Sequence, residues 1–391
     1  MRFGIDVQVA QKFSALRGKR VGLIVNPTSV DAKYRHLVDL VHEAEGVTLA
    51  ALFGPEHGIR GEAQYMVAVD DVARDARTGV PVHSLYGHTF ESLTPKQEWL
   101  RELDALVFDI QDVGSRYYTY IYTMALAMKA AAQAKIPFHV FDRPNPIGLS
   151  LTEGNLVGET FRSFVGLYAL PTRHGMTAGE IAKLLNEQEQ FGAELHVTPV
   201  EGLERSHDWS HTGRGFIPPS PNMPTPDTAL VYPGMCLGEG TNVSEGRGTT
   251  RPFEQFGAPY LKSWQVADTL NGLELPGVIF RPCSFTPTFD KFKGQSCEGA
   301  FIHVTDPQTF LPLRTGVAVF QACRELGGKH FQWRADAYEF VEDVPAFDLL
   351  CGTAQVRERM EANQPLDALL EGFDAERKAF EALRQRYALY R

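Results

Sequence analysis

Cysteine is scarce, and what there is does not pair by pattern. The five residues Cys236, Cys283, Cys297, Cys323 and Cys351 are an odd number, and no two stand in a C-x-x-C spacing. This argues against a disulfide framework or a zinc knuckle and leaves reduced thiols. Long apolar runs are missing too. No stretch reaches the roughly 18 apolar residues of a membrane helix. Asp6, Gln8, Gln11, Lys12 and Arg17 interrupt the first twenty residues, so no signal-peptide apolar region stands there. As given, the chain is expected to be cytoplasmic, or exported if a leader has been removed. Positive charge is in deficit: 38 Lys and Arg against 48 Asp and Glu give a net charge of −10. An acidic surface argues against a nucleic-acid or anionic-membrane partner.

Several catalytic signatures are absent as well. There is no G-x-G-x-x-G and no G-x-x-x-x-G-K-[ST], which disfavours a dinucleotide or P-loop enzyme. Without a G-x-S-x-G elbow or an H-E-x-x-H, a serine hydrolase and a zincin are equally disfavoured. No repeat or low-complexity run breaks the chain. With 43% hydrophobic and 22% charged residues it has ample material for a core, and 391 residues imply two domains. The texture changes near residue 258. The expected division is therefore a Rossmann-like domain over 1–257 and a smaller α+β domain over 258–391 that caps the crevice.

What is present reads as alternation. Apolar runs at 21–25, 47–52, 81–85, 105–110, 138–141 and 195–200 predict strands. Helical spacing at 34–45, 117–134 and 177–185 separates some of them, the last opened by a capping-box spacing from Thr177 to Glu180. Near-continuous apolar strands alternating with helices imply a mostly parallel, doubly wound α/β sheet. Beyond 258, short strands at 278–281 and 300–304 mix with helices at 315–325, 365–370 and 375–387. The segment 238–254, with its glycines, glutamates and arginines, is too polar and too broken for a regular element. Loops of that length are usually functional.

Ligands of open α/β sheets bind outside the carboxyl ends of the strands. The segment Phe53-Gly54-Pro55-Glu56-His57-Gly58-Ile59-Arg60-Gly61 sets a carboxylate, an imidazole and a guanidinium on a tight turn at such an end. Other strand ends and loops carry Asn26, Asp109, Asp112, Arg116, Tyr117, Asp142, Arg143, Asn145, Glu153, His174, Asn222, Glu239, Glu245 and Arg247. Carboxylates mixed with arginines, amides and tyrosines suit glycoside hydrolysis: one carboxyl protonates the leaving oxygen while a second group activates water or attacks the anomeric carbon. Glu56 is the expected acid. Each residue also has a plainer use. Asp109 and Asp142 are equally apt as caps, Arg143 as a buried ion-pair partner, His174 as a turn residue and the tyrosines as helix packing. His57, Asp109, Asp112 and His174 are of metal-ligating types. Nothing in their spacing demands a metal, and no cofactor is expected.

Taken in order, six of these stretches resemble the exo-acting β-N-acetylmuramidases of the NamZ/YbbC type, long classed as a domain of unknown function. They are Gly54-Pro55-Glu56-His57-Gly58 with Arg60-Gly61, the run from Phe108 to Tyr120, Asp142-Arg143-Pro144-Asn145-Pro146, Arg173-His174-Gly175-Met176-Thr177, Pro219-Ser220-Pro221-Asn222-Met223-Pro224, and the run from Glu239 to Thr250. The resemblance implies a Rossmann-like domain, a smaller auxiliary domain and an active site in the cleft between them. It also implies release of N-acetylmuramic acid from the non-reducing end of peptidoglycan fragments. It puts the catalytic glutamate at Glu56, with Glu153, Glu239 and Glu245 as candidate partners and Glu239 preferred. The lactyl carboxylate of muramic acid would give the arginines a purpose. Two alternatives of other classes are a non-catalytic muropeptide-binding or sensing protein and a metal-dependent hydrolase using His57, Asp109 and Asp112.

Overall fold

The structure, a computed structural model, describes residues 1–56, 58–59, 73–87 and 89–391. The apolar runs become β1 (Arg20–Val25), β2 (Thr48–Gly54), β4 (Pro81–Ser84), β5 (Ala105–Asp109), β6 (Phe138–Phe141) and β7 (Leu195–Thr198), with a short β3 (Ala73–Arg74) added. They form one sheet in the order β3-β4-β2-β1-β5-β6-β7. Every neighbour pairs in parallel except β3 on β4. β5 and β6 are buried along their whole length, as expected of strands covered on both faces. Strand alternation divides their side chains: Leu106 and Phe108 pack into one apolar cluster, Ala105 and Val107 into another. This is the Rossmann-like, mostly parallel sheet that the alternation predicts.

A second, antiparallel sheet holds β8 (Gln255–Ala258), β9 (Val278–Phe285) and β10 (Cys297–Val304) in the order β8-β10-β9. Its inward residues Phe256, Phe280 and Ala300 belong to the same apolar cluster as Phe108 and Val140 of the large sheet. One continuous core thus joins the two lobes. The junction is tightest where the helices Pro226–Met235 and Pro312–Gly327 cross. A Cβ added at Gly234 would lie 1.8 Å from the Pro312 carbonyl oxygen, and one at Gly316 would lie 2.2 Å from that of Gly234. Only glycine permits that approach.

Two predicted helices are shorter than their periodicity: 34–45 reduces to Leu37–His42, and 117–134 begins at Tyr120. Residues 117–119 form a turn instead, and this frees their side chains for the cleft. The helices Pro226–Met235 and Ser263–Asn271 were not foreseen. The first carries Pro233 inside and is buried on every side from Thr228 to Met235, so it shows no amphipathic stripe to detect.

Candidate active site

Glu56 follows β2 directly. Pro55 ends the strand, and the Gly58 amide donates to the Pro55 carbonyl at 3.0 Å. Gly58 has φ +77°, a left-handed backbone that suits glycine. Leu85 N, just past β4, donates to the Gly54 carbonyl at 2.7 Å and fixes the strand end beneath Glu56. His57 and Arg60, both expected here, lie outside the described residues.

Glu56 borders a cavity of about 570 Å³, also lined by Tyr117, Tyr118, Thr119, Tyr120, Ser220, Asn222, Tyr232, Glu239, Arg247, Phe253, Tyr338 and Glu339. Its lining comes from distant parts of the chain, among them residue 56, residues 117–120, the stretch 220–253 and residues 338–339. The turn before the helix Tyr120–Ala134 supplies the first aromatics, and Tyr120 Oη donates to the Pro219 carbonyl at 2.8 Å, tying the proline-rich loop to this wall. Burial pushes the phenols of Tyr117, Tyr118 and Tyr120 above their ordinary range, so they stay protonated.

The opposite wall is built on the irregular segment 238–254. Glu239 is buried, and burial alone would raise its pKa. Arg247 Nη2 at 2.5 Å and Tyr338 Oη at 2.6 Å overcome that and hold the carboxyl below its usual range. Arg247 also pairs with Glu245 at 3.2 Å, and Lys291 Nζ joins Glu245 at 2.8 Å while donating to the Gly238 and Val243 carbonyls. This segment is therefore ordered by charge, in place of a helix or strand. Glu245, Lys291 and Arg247 continue into an adjoining polar cleft of about 1090 Å³ bordered by Asn242, Trp333 and Arg334.

Glu339 was not among the residues expected from the sequence. Residues 338–341 form a tight hairpin, with Tyr338 and Val341 exchanging backbone bonds of 2.9 and 3.0 Å. Glu339 and Phe340 take φ of +46° and +68° at its tip. For non-glycine residues that conformation costs on the order of 1 kcal/mol each. Burial, then the charges of Glu56 and Glu239, raise the Glu339 carboxyl to about 8, against the pull of Arg334 and Arg247.

The remaining predicted residues line neither cleft; their side chains are engaged in the scaffold. Asp109 receives Arg143 through two bonds, of 2.5 and 2.9 Å. Asp142 accepts from Thr177 Oγ1, Gly179 N and Tyr390 Oη, bracing the start of the helix Ala178–Gln188. Asp112 accepts from Gly114 N and faces His174 Nε2 at 3.2 Å. Asn145 bonds Met176 O and Ile147 N, and Asn26 bonds Thr28 and the Pro219 carbonyl. Glu153 accepts from Leu313 N and Arg314 N at 2.9 and 2.8 Å, capping the helix Pro312–Gly327. Arg116 is fully buried and donates to the carbonyls of Asn155, Leu170, Leu350 and Cys351. Among the described residues no group of three or more His, Cys, Asp or Glu is arranged to hold a metal ion, and no helix is long and apolar enough to cross a membrane.

The resemblance implies an active site in a cleft, and comparison with known proteins gives the chain a family. Residues 21–227 match the N-terminal family model of exo-β-N-acetylmuramidase NamZ, and residues 230–390 match its C-terminal model. The chain belongs to the NamZ family. It is 44% identical over 389 residues to the peptidoglycan β-N-acetylmuramidase NamZ of Bacillus subtilis, covering 99% of this chain and 91% of that one. Two crystal structures of DUF1343 family proteins from Bacteroides fragilis share the fold. One has a TM-score of 0.91 at 38% identity and the other 0.76 at 28%, each covering 100% of this chain and 99% of its own. Membership in the NamZ family thus spans both lobes that wall the cleft.

Proposed function

We infer that the protein is an exo-β-N-acetylmuramidase acting on peptidoglycan fragments, with the sugar that is released seated in the cavity beside Glu56. The family and the activity rest on the full-length relationship to NamZ. The assignment of roles within the cavity is ours. The observation that supports it is that Glu56 and Glu239 line one cavity together with a set of buried phenols.

Glu56 protonates the glycosidic oxygen, and the bond from that oxygen to the anomeric carbon breaks as positive charge develops on the sugar. Glu239 is held ionised by Arg247 and Tyr338, so it offers negative charge to that cation without needing to lose a proton first. Asn222 and the phenols of Tyr117 and Tyr118 supply hydrogen bonds and apolar faces for a sugar ring. Arg247, on the same wall, is the cation closest in role to a partner for a lactyl carboxylate, although it already serves Glu239 and Glu245. The adjoining cleft offers room for the rest of a muropeptide.

The test uses a chromogenic β-N-acetylmuraminide and the matching glucosaminide. Turnover of the muraminide is expected. Turnover of the glucosaminide alone, or of neither, overturns the reading.

A further inference from the structure

Glu339 differs from the other buried carboxyls of the site region. Asp109, Asp142, Glu153 and Glu239 are each met by named donors, and Glu245, whose Oε1 accepts no hydrogen bond, is paired with Lys291 and Arg247. Glu339 is only 9% exposed, and its Oε2 is sealed off with no hydrogen-bond partner. Its place is nevertheless fixed. On one side of it in the hairpin, Tyr338 Oη is bonded to Glu239 at 2.6 Å. On the other, the Phe340 ring meets the rings of Phe90 and Phe164 edge-on at 6.4 Å each. The hairpin thereby holds an unsatisfied carboxyl in the cavity that Glu56 and Glu239 line. A buried polar group left without a partner marks a place where a ligand completes the hydrogen bonding.

We propose that Glu339 is a catalytic residue of the same reaction, the group that takes the proton from the water that replaces the leaving oxygen at the anomeric carbon. This rests on the muramidase reading with Glu56 as proton donor. The pair Glu56 and Glu339 then carries one proton throughout. Glu56 gives its proton to the glycosidic oxygen, which leaves with the electron pair of the broken bond and becomes a hydroxyl. Water adds its oxygen to the anomeric carbon and passes one proton to the Glu339 carboxylate. The cycle closes when that proton returns to Glu56 through solvent. One water is consumed and two hydroxyls are formed, with no other reactant.

The charges around Glu339 fit the role. Glu56 and Glu239 disfavour its ionisation, while Arg334 and Arg247 favour it. When Glu56 holds the shared proton, one of the two repelling charges is gone and Glu339 ionises more readily. A carboxylate with so high an affinity for a proton is an effective base once formed.

The experiment compares wild type, E339Q and E56Q on dinitrophenyl and phenyl β-N-acetylmuraminides. E339Q is expected to lower kcat by about 10²- to 10³-fold on both substrates, with KM changed less than about threefold. E56Q is expected to spare the dinitrophenyl substrate relative to the phenyl one, because dinitrophenolate leaves without a proton. Sodium formate should restore at least tenfold of the activity lost in E339A. A kcat for E339Q within threefold of wild type overturns the proposal. So does a loss confined to the phenyl substrate, or a rise in KM alone. If E339Q fails to fold by circular dichroism, E339D serves instead: its carboxylate sits one methylene further back, and full activity there also overturns the proposal. Failure of wild type to cleave either muraminide would sink the muramidase reading itself. Activity in wild type with the stated E56Q behaviour and an unimpaired E339Q would sink only the role of Glu339.

Discussion

The carboxyl edge of the large sheet and the lining of the Glu56 cavity hold similar side chains and use them differently. At the sheet edge, Asp109 and Asp142 follow parallel strands where a ligand is expected, yet each is saturated by the fold: Asp109 by Arg143, Asp142 by Thr177, Gly179 and Tyr390. Glu239 accepts from Arg247 and Tyr338 yet still lines the cavity, and Glu339 has an oxygen without any partner. A buried carboxyl whose lone pairs are all accepted by the protein is a brace. One that keeps acceptor capacity toward a cavity can act on something else.

That contrast can be broken by substitution. The largest effect is expected from E56Q, which should lower turnover of the phenyl muraminide by about 10³- to 10⁴-fold while the thermal midpoint stays within about 2 °C. An E56Q enzyme with full turnover would move the reaction to the other wall. D109N should do the reverse. It strands the Arg143 guanidinium in the core and should cost about 3 kcal/mol in urea unfolding, with kcat of the folded protein unchanged. A catalytic collapse without loss of stability would make Asp109 a site residue after all.

E339Q should show a pH-dependent gain in stability. The carboxyl of Glu339 is raised from 4.5 to about 8 by burial and by its carboxylate neighbours. Its contribution to stability is full below pH 4.5 and is lost as pH rises through 8. Glutamine keeps the neutral form at every pH, so the variant should gain on wild type by on the order of 2 kcal/mol between pH 5 and 8. A constant difference across that range would mean the site is wetter than its burial implies. Y338F removes one bond to Glu239 and should cost about 1 kcal/mol, read as a severalfold fall in kcat. The smallest effect belongs to R386A, which breaks an exposed pair with Glu187 and should change stability by less than about 0.5 kcal/mol.

Much of this was legible in the chain. The apolar runs at 105–110 and 138–141 are strands β5 and β6 because continuous burial leaves a continuous apolar signal. Glu56 stood out because glycines and a proline break the pattern right after such a run, and it lies on the cavity. The segment 238–254 was legible as irregular but not as part of the cleft, since its order depends in part on Lys291, a residue that no local pattern links to Glu245. Arg116 read as a candidate ligand group, but it spends its donors on four backbone carbonyls that are distant in sequence.

The sequence by itself settled the alternation of strands and helices, the place of Glu56 at a strand end and the likeness to one family, because periodicity, glycine placement and motif order are local or linear properties. Only the tertiary structure decided which charges are spent on the fold and which face the cavity, because that depends on donors brought from hundreds of residues away. Glu339 is the clearest case. No motif or pattern in the sequence marks it, and it meets the cavity because a hairpin whose tip residues are left-handed, pinned by Tyr338 and Phe340, turns it there.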